Sequence, residues 1–114
     1  MVKEYNRSRI YLLVSRYEGF SVAASEALCC GCSVVSAREL ATATYTALDQ
    51  SGSVAETRTA AGFAQALDRE VACWSGGERN PAAISAIWQE RLGARAVTRA
   101  TVALLETIPA RAAE

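Results

Sequence analysis

Two glutamates and a group of cysteines are the residues in this chain whose types and spacing could support chemistry. They lie in the stretch SRYEGFSVAASEALCCGCSVV, residues 15 to 35, as Glu18, Glu26, Cys29, Cys30 and Cys32. The carboxylates could accept hydrogen bonds from the hydroxyl groups of a bound sugar. The thiols could bind a metal ion. Alternatively, all five residues could be the surface and packing of an ordinary β-α-β unit.

The metal interpretation of the cysteines requires about four ligands with suitable spacing. The sequence contains no histidine, and we expect two of the three neighbouring cysteines to face the core. Adjacent cysteines form a disulfide only with strain, so Cys73 and the three clustered residues are predicted to be reduced thiols. We therefore predict no metal site, and the lack of histidine also excludes a Ser-His-Asp triad.

The elements that must position the two glutamates form a predicted βαβ unit. Residues 10–15, IYLLVS, are a short apolar run typical of a buried strand. Ser21 is a suitable N-cap for a helix from Val22 to Cys30, and Gly31 is a suitable stop. A second apolar run, residues 32–36, predicts a strand parallel to the first.

The rest of the chain is predicted to be a loop followed by helices. Residues 37–58 lack a clear period, although a short strand is possible at 53–56. Apolar residues at helical spacing predict helices over 60–74, 82–92 and 94–106, the first with Phe63, Leu67, Val71 and Trp74 facing the core. A doubly wound sheet usually has five or six strands, so this α/β chain is predicted to be part of a domain.

Length and charge exclude several classes of protein. A chain of 114 residues forms one domain at most. Its 12 basic and 12 acidic residues balance, which argues against a nucleic-acid partner. No window has the roughly 18 apolar residues of a membrane span, and the N-terminus lacks the apolar core of a signal peptide. We therefore expect a cytoplasmic protein with no transmembrane segment.

The loop between the first strand and the helix is suited to bind an anion. Free N–H groups at the helix start face the carboxyl ends of the strands, where ligands of α/β sheets bind. Gly19 permits a close approach of the backbone, and Glu18 can accept hydrogen bonds from hydroxyl groups. Glu26 lies about one and a half turns into the helix. A nucleotide sugar, with phosphates between two hydroxyl-bearing rings, would suit this spacing.

The residues from Glu18 to Val35 resemble the "EGFG…EAMACGxPVV" signature of the retaining GT-B glycosyltransferases of family 4, the group 1 glycosyl transferases. The resemblance rests on Glu18, Gly19, Phe20, Glu26, Ala27, Leu28, Cys30, Gly31, Val34 and Val35. It implies a Rossmann-like, donor-binding C-terminal domain that uses a nucleoside-diphosphate sugar and no cofactor. By this resemblance Glu18 is the catalytic residue that contacts the donor sugar, and Glu26 binds the ribose. The backbone contacts to the donor would come from Gly19, Phe20, Ser21 and Val22.

The sequence also departs from this family pattern. Ser21 replaces the second glycine and Ser33 replaces the proline. The family's upstream arginine and lysine, which meet the diphosphate, have no counterpart, and neither does its acceptor domain. We therefore interpret residues 1–114 as a partial C-terminal nucleotide-sugar-binding domain that is inactive alone. It would act on an unknown acceptor together with a second chain or an N-terminal domain. The alternative is a non-catalytic truncated product or split subunit.

Overall fold

The computed structural model describes residues 2–16, 21–40 and 50–109. Five helices and three strands lie within these residues. In chain order they are α1 Val2–Arg7, β1 Ile10–Leu13, α2 Val22–Cys29, β2 Ser33–Ala37, β3 Gly52–Ala55, α3 Ala60–Ser75, α4 Pro81–Leu92 and α5 Ala94–Glu106.

The three strands form one parallel sheet in the order β1-β2-β3. Val35 of the central strand pairs with Leu12 on one side and with Ser53 on the other. All five residues of β2 are buried. The predicted βαβ unit is confirmed as β1-α2-β2, and the possible strand at 53–56 is β3, one residue earlier. The prediction of a buried first strand over residues 10–15 is wrong in part, because β1 ends at Leu13 and Leu12 is 44% exposed.

Helices cover both faces of this sheet because successive side chains of β2 point to opposite sides. Val34 packs in a cluster with Leu28 of α2 and Trp88 of α4. Val35 packs in another cluster with Ala66 of α3. Full burial of an aliphatic side chain of this size contributes about 1.5–3 kcal/mol. A short parallel sheet with helices on both faces confirms the predicted Rossmann-like α/β class.

Gly31 ends α2 and allows α4 to approach it. Its φ of +89° is left-handed, and the N–H groups of Gly31 and Cys32 donate to the carbonyls of Leu28 and Ala27 at 3.0 and 2.9 Å. These two bonds form a Schellman motif. A Cβ at Gly31 would lie 2.6 Å from the carbonyl oxygen of Pro81 in α4. The glycine is therefore required by both the turn and the packing.

The long helices begin and end at local signals. The Thr59 side chain accepts a hydrogen bond from the Gly62 N–H at 3.0 Å at the start of α3. The Asn80 side chain accepts a hydrogen bond from the Ala83 N–H at 3.0 Å at the start of α4. Asn80 directly precedes Pro81, which is the first residue of that helix. Gly93 separates α4 from α5. These helices match their predicted ranges within one residue.

The predicted core face of α3 is wrong at one position. Val71 is 48% exposed, whereas the neighbouring Glu70 is fully buried. The reason is an ion pair: Arg79 Nε and Nη2 lie 2.6 and 3.0 Å from the Glu70 carboxylate oxygens, and the Ser53 hydroxyl donates to the same carboxylate at 2.6 Å. Burial alone would raise the pKa of Glu70, but the hydrogen bond from Arg79 and those from serine hydroxyls outweigh it and lower that pKa.

The first and last helices differ in how they pack. α1, which the sequence analysis did not predict, buries Tyr5 against Ala27 and Cys32. α5 has no buried residue, and Val97, Val102, Leu104 and Leu105 are among its exposed apolar side chains. No helix in the described part of the chain is both long enough and apolar enough to cross a membrane.

Candidate functional site

The start of α2 has the geometry that an anion-binding helix start requires. Ser21 is buried and serves as the N-cap, because its hydroxyl accepts a hydrogen bond from the Ala24 N–H at 3.1 Å. The Ser25 hydroxyl donates to the Ser21 carbonyl at 2.8 Å. These bonds fix the entry into the helix. The N–H groups of Val22 and Ala23 have no acceptor within the helix, since they belong to its first turn.

Glu26 lies on the exposed part of α2, one turn after Val22. Tyr5 of α1 lies close enough to Glu26 for the two side chains to interact, and its buried hydroxyl makes no hydrogen bond of good geometry to the described residues. Burial first, and then the negative charge of Glu26, raises the pKa of Tyr5. The tyrosine therefore stays neutral and presents a hydroxyl beside an accessible carboxylate.

A cavity of about 270 Å³ runs along α2 and includes this carboxylate. Its described lining comes from three helices: Val22, Ser25, Glu26 and Cys29 of α2, Leu92 of α4 and Val97 of α5. Apolar walls with one carboxylate are typical of a site that binds a ring and recognises its hydroxyl groups. The cavity is large enough for a ribose-sized group. Because Glu26 and Val22 both line it, they face a common space.

The carboxyl edge of the sheet carries charged residues that the sequence analysis did not single out. Arg58, which follows β3, donates to the carbonyls of Ser15 and Arg16 at 2.8 and 3.1 Å. Its Nε also lies 3.5 Å from a carboxylate oxygen of Glu39, after β2. The available signal was position, because residues just after a strand of a parallel sheet lie at the ligand-binding edge.

The four cysteines are free thiols in the structure. Cys32 is buried, and burial raises the pKa values of Cys29, Cys32 and Cys73. Raised pKa values keep these thiols protonated and poorly reactive. Within the described ranges, no group of three or more potential ligand residues is arranged to hold a metal ion.

The candidate residues are divided between described and undescribed parts of the chain. Ser21, Val22 and Glu26 are described, and the last two line one cavity. Glu18, Gly19 and Phe20 lie outside the described residues. Their predicted roles therefore stay predictions.

Comparison with known proteins identifies the family of this fold. The family model described as glycosyl transferases group 1 matches residues 1–82, which extend from the N-terminus into the start of α4. No curated protein and no solved structure gives a significant match. A match over this share of the sequence, together with the parallel sheet and the helix start at its carboxyl edge, means that the chain belongs to the group 1 glycosyl transferases.

Proposed function

We propose that this chain is the donor-binding part of a retaining glycosyltransferase of family 4 with the GT-B fold. In this proposal residues 1–114 form part of the C-terminal domain, which binds a nucleoside-diphosphate sugar. The enzyme would transfer the sugar to an acceptor hydroxyl with retained configuration. The acceptor would be held by another domain or by a second chain.

The observation that carries the proposal is the cavity along α2. Its described lining includes the accessible carboxylate of Glu26 and Val22 of the first helical turn. A carboxylate in a cavity whose described lining is mostly apolar suits a ribose, whose two hydroxyl groups can donate to the two carboxylate oxygens. The free N–H groups of the first turn lie at the same end as Val22, where a diphosphate would be stabilised.

The chemical contribution of these residues would be positioning and charge stabilisation. The positive end of the α2 dipole favours the negative charge that develops on the leaving diphosphate. Glu26 would hold the ribose so that the sugar end of the donor is presented to the acceptor. By the family resemblance, Glu18 would contact the donor sugar. The backbone contacts to the donor would come from Gly19, Phe20, Ser21 and Val22.

The test is calorimetric titration of UDP, ADP and GDP into the chain and its variants. A hydrogen bond to a carboxylate contributes about 1.5 kcal/mol, so Glu26→Ala should weaken the best-bound nucleotide about tenfold. Glu18→Ala should leave nucleoside-diphosphate affinity nearly unchanged and should lower turnover of the sugar donor in the assembled enzyme.

Glu90→Ala is the matched control, because Glu90 is also an exposed helical glutamate but is not part of the cavity lining. The control variant should bind nucleotide as the wild type does. Equal losses in the Glu26 and Glu90 variants, or no binding of any of the three nucleotides by the wild-type chain, would contradict the proposal.

A further inference from the structure

Tyr5 of α1 packs on the flank of α2 that adjoins Glu26. Its ring is buried in a cluster with Ala27 and Cys32, and Cys30 packs against the same cluster. An α-helix turns by about 100° per residue, so Cys30 and Ala27 lie roughly 40° and 100° around the helix axis from Glu26, in the same direction. The tyrosine therefore lies on one side of the glutamate.

The cavity along α2 lies on the other side of Glu26. Val22, Ser25 and Cys29 line it together with Glu26, and they lie roughly 40–100° from the glutamate in the opposite direction around the axis. Glu26 is thus at the border between the buried tyrosine and the cavity. Its carboxylate can accept hydrogen bonds on both sides, because two ionised oxygens offer about four acceptor positions.

The Tyr5 hydroxyl is a buried donor that needs an acceptor. The residue is 6% exposed, and its hydroxyl makes no hydrogen bond of good geometry within the described part of the chain. The titratable groups close enough to act on it are Glu26, Tyr11 and Cys30. The carboxylate is the strongest acceptor of the three, because it is ionised. Since an unsatisfied buried hydroxyl is costly, a bond to Glu26 is favourable for both partners.

The buried hydroxyl can influence a ligand only through Glu26. Its oxygen is shielded from solvent, and Tyr5 does not belong to the described lining of the cavity. Glu26 is exposed, and an unrestrained glutamate side chain loses rotamer freedom when it binds a ligand. A hydrogen bond from Tyr5 removes part of this cost in advance and leaves acceptor positions of the carboxylate directed at the cavity.

We propose that Tyr5 is a positioning residue for Glu26: its hydroxyl donates to the carboxylate from the buried side and preorganises it to accept from a ribose in the cavity. Hydrogen bonds of this kind are often poorly aligned before the ligand binds and tighten in the complex. The inference rests on the proposed function for the identity of the ligand. The contact between the two side chains can be measured without any ligand.

The first experiment is urea unfolding of the full chain without ligand, as a double-mutant cycle. Tyr5→Phe keeps the ring and removes only the hydroxyl. In the wild-type background it should raise the unfolding equilibrium constant about fivefold, through loss of a hydrogen bond to a carboxylate. In the Glu26→Ala background it should cause no increase, because the hydroxyl has already lost its acceptor. Equal increases in both backgrounds, or none in the wild type, would overturn the proposal.

The second experiment is calorimetric titration of UDP, ADP and GDP into the same four proteins. Tyr5→Phe should weaken the best-bound nucleotide about fivefold when Glu26 is present and should have no effect when it is alanine. A general loss of structure would instead weaken binding equally in both backgrounds, and this result would overturn the positioning role.

Tyr11→Phe is the matched control, because it removes a hydroxyl from a neighbouring tyrosine. The Tyr11 ring lies edge-on to that of Tyr5, with the centroids 6.2 Å apart, and Tyr11 is not part of the described cavity lining. This variant should bind nucleotide as the wild type does. An equal loss of affinity in the Tyr5 and Tyr11 variants would contradict the proposal.

Failure of this inference and failure of the proposed function give different results. If the wild type binds nucleotide and Tyr5→Phe binds it equally well, the proposed function stands and the positioning role is overturned. If the wild type binds none of the three nucleotides, the proposed function fails, while the unfolding cycle still decides whether Tyr5 holds Glu26.

Discussion

The buried ion pair between Glu70 and Arg79 should account for a large share of the stability of this fold. The side chain of Glu70 is 0% exposed and that of Arg79 is 8% exposed. Glu70→Gln keeps the volume of the side chain but leaves the Arg79 charge uncompensated in the interior. Breaking a buried pair in this way costs about 3–5 kcal/mol. A chain of this length has a total free energy of unfolding of roughly 6–17 kcal/mol.

The assay is urea unfolding followed by the fluorescence of the two tryptophans, Trp74 and Trp88. The matched control is Glu56→Gln, which breaks the exposed pair with Arg38. Its side chains are 59% and 66% exposed, so the control should lose less than about 1 kcal/mol. If Glu70→Gln and Glu56→Gln lose equal stability, the reasoning about desolvation is refuted.

The same pair predicts that the free energy of unfolding of the wild type decreases at acid pH. The pKa of Glu70 in the folded protein is lowered, against burial, by hydrogen bonds from Arg79 and serine hydroxyls. The stabilisation is therefore present above the unfolded-state pKa of about 4.3 and is lost as the pH falls through the lower folded-state pKa. Urea midpoints measured from pH 7 downward should show this loss in the wild type. The part of the loss that comes from protonation of Glu70 should be absent in Glu70→Gln.

Three further predictions concern positions where a single group decides stability, each measured by the same urea unfolding. Gly52→Ala should cost about 3 kcal/mol, because a Cβ would lie 1.9 Å from a carbonyl oxygen of β2, whereas Gly76→Ala, with its nearest contact at 3.2 Å, should be tolerated. Thr59→Ala should cost about 1 kcal/mol through loss of the α3 N-cap, and Thr59→Ser should not. The pKa of Tyr5 is raised by burial and by Glu26. The neutral tyrosine therefore contributes stability below about pH 10, and this contribution is lost as the pH rises through the higher folded-state pKa. Tyr5→Phe should lack this loss of stability at alkaline pH.

The βαβ unit and the helix bounds could be predicted because their signals are local. Ser21 caps α2 within three residues, and Gly31 terminates it through bonds to the preceding turn. Asn80 and Pro81 act in the same way at the start of α4. Such signals depend on neighbours in sequence, so no knowledge of the tertiary structure was needed. They also located the start of α2, on which the candidate site is built.

Two features could not be predicted from the local sequence pattern: the burial of Glu70 and the hydrogen bonds of Arg58 to the segment after β1. Glu70 stands in a helical sequence beside Val71, and periodicity favours the valine for the core. Its partner Arg79 lies beyond the end of α3, and Arg58 contacts carbonyls more than 40 residues away. The contacts of Arg58 depend on the parallel arrangement of the strands, which brings the segments after β1 and β3 to the same edge. The six-residue helix α1 was missed because its packing rests on a single buried side chain, Tyr5.

The two ion pairs that flank the sheet, Glu70–Arg79 and Arg58–Glu39, differ in how accessible their charges are. At the amino edge, Glu70 and Arg79 meet Ser53 and the Gly52 carbonyl in the interior. The two charges therefore compensate each other inside the protein. At the carboxyl edge, Arg58 is 23% exposed and its neighbour Glu39 is 60% exposed. Because Arg58 already donates to two backbone carbonyls, the accessible charge at the edge where α/β sheets bind ligands is the Glu39 carboxylate, whereas the buried pair stabilises the fold.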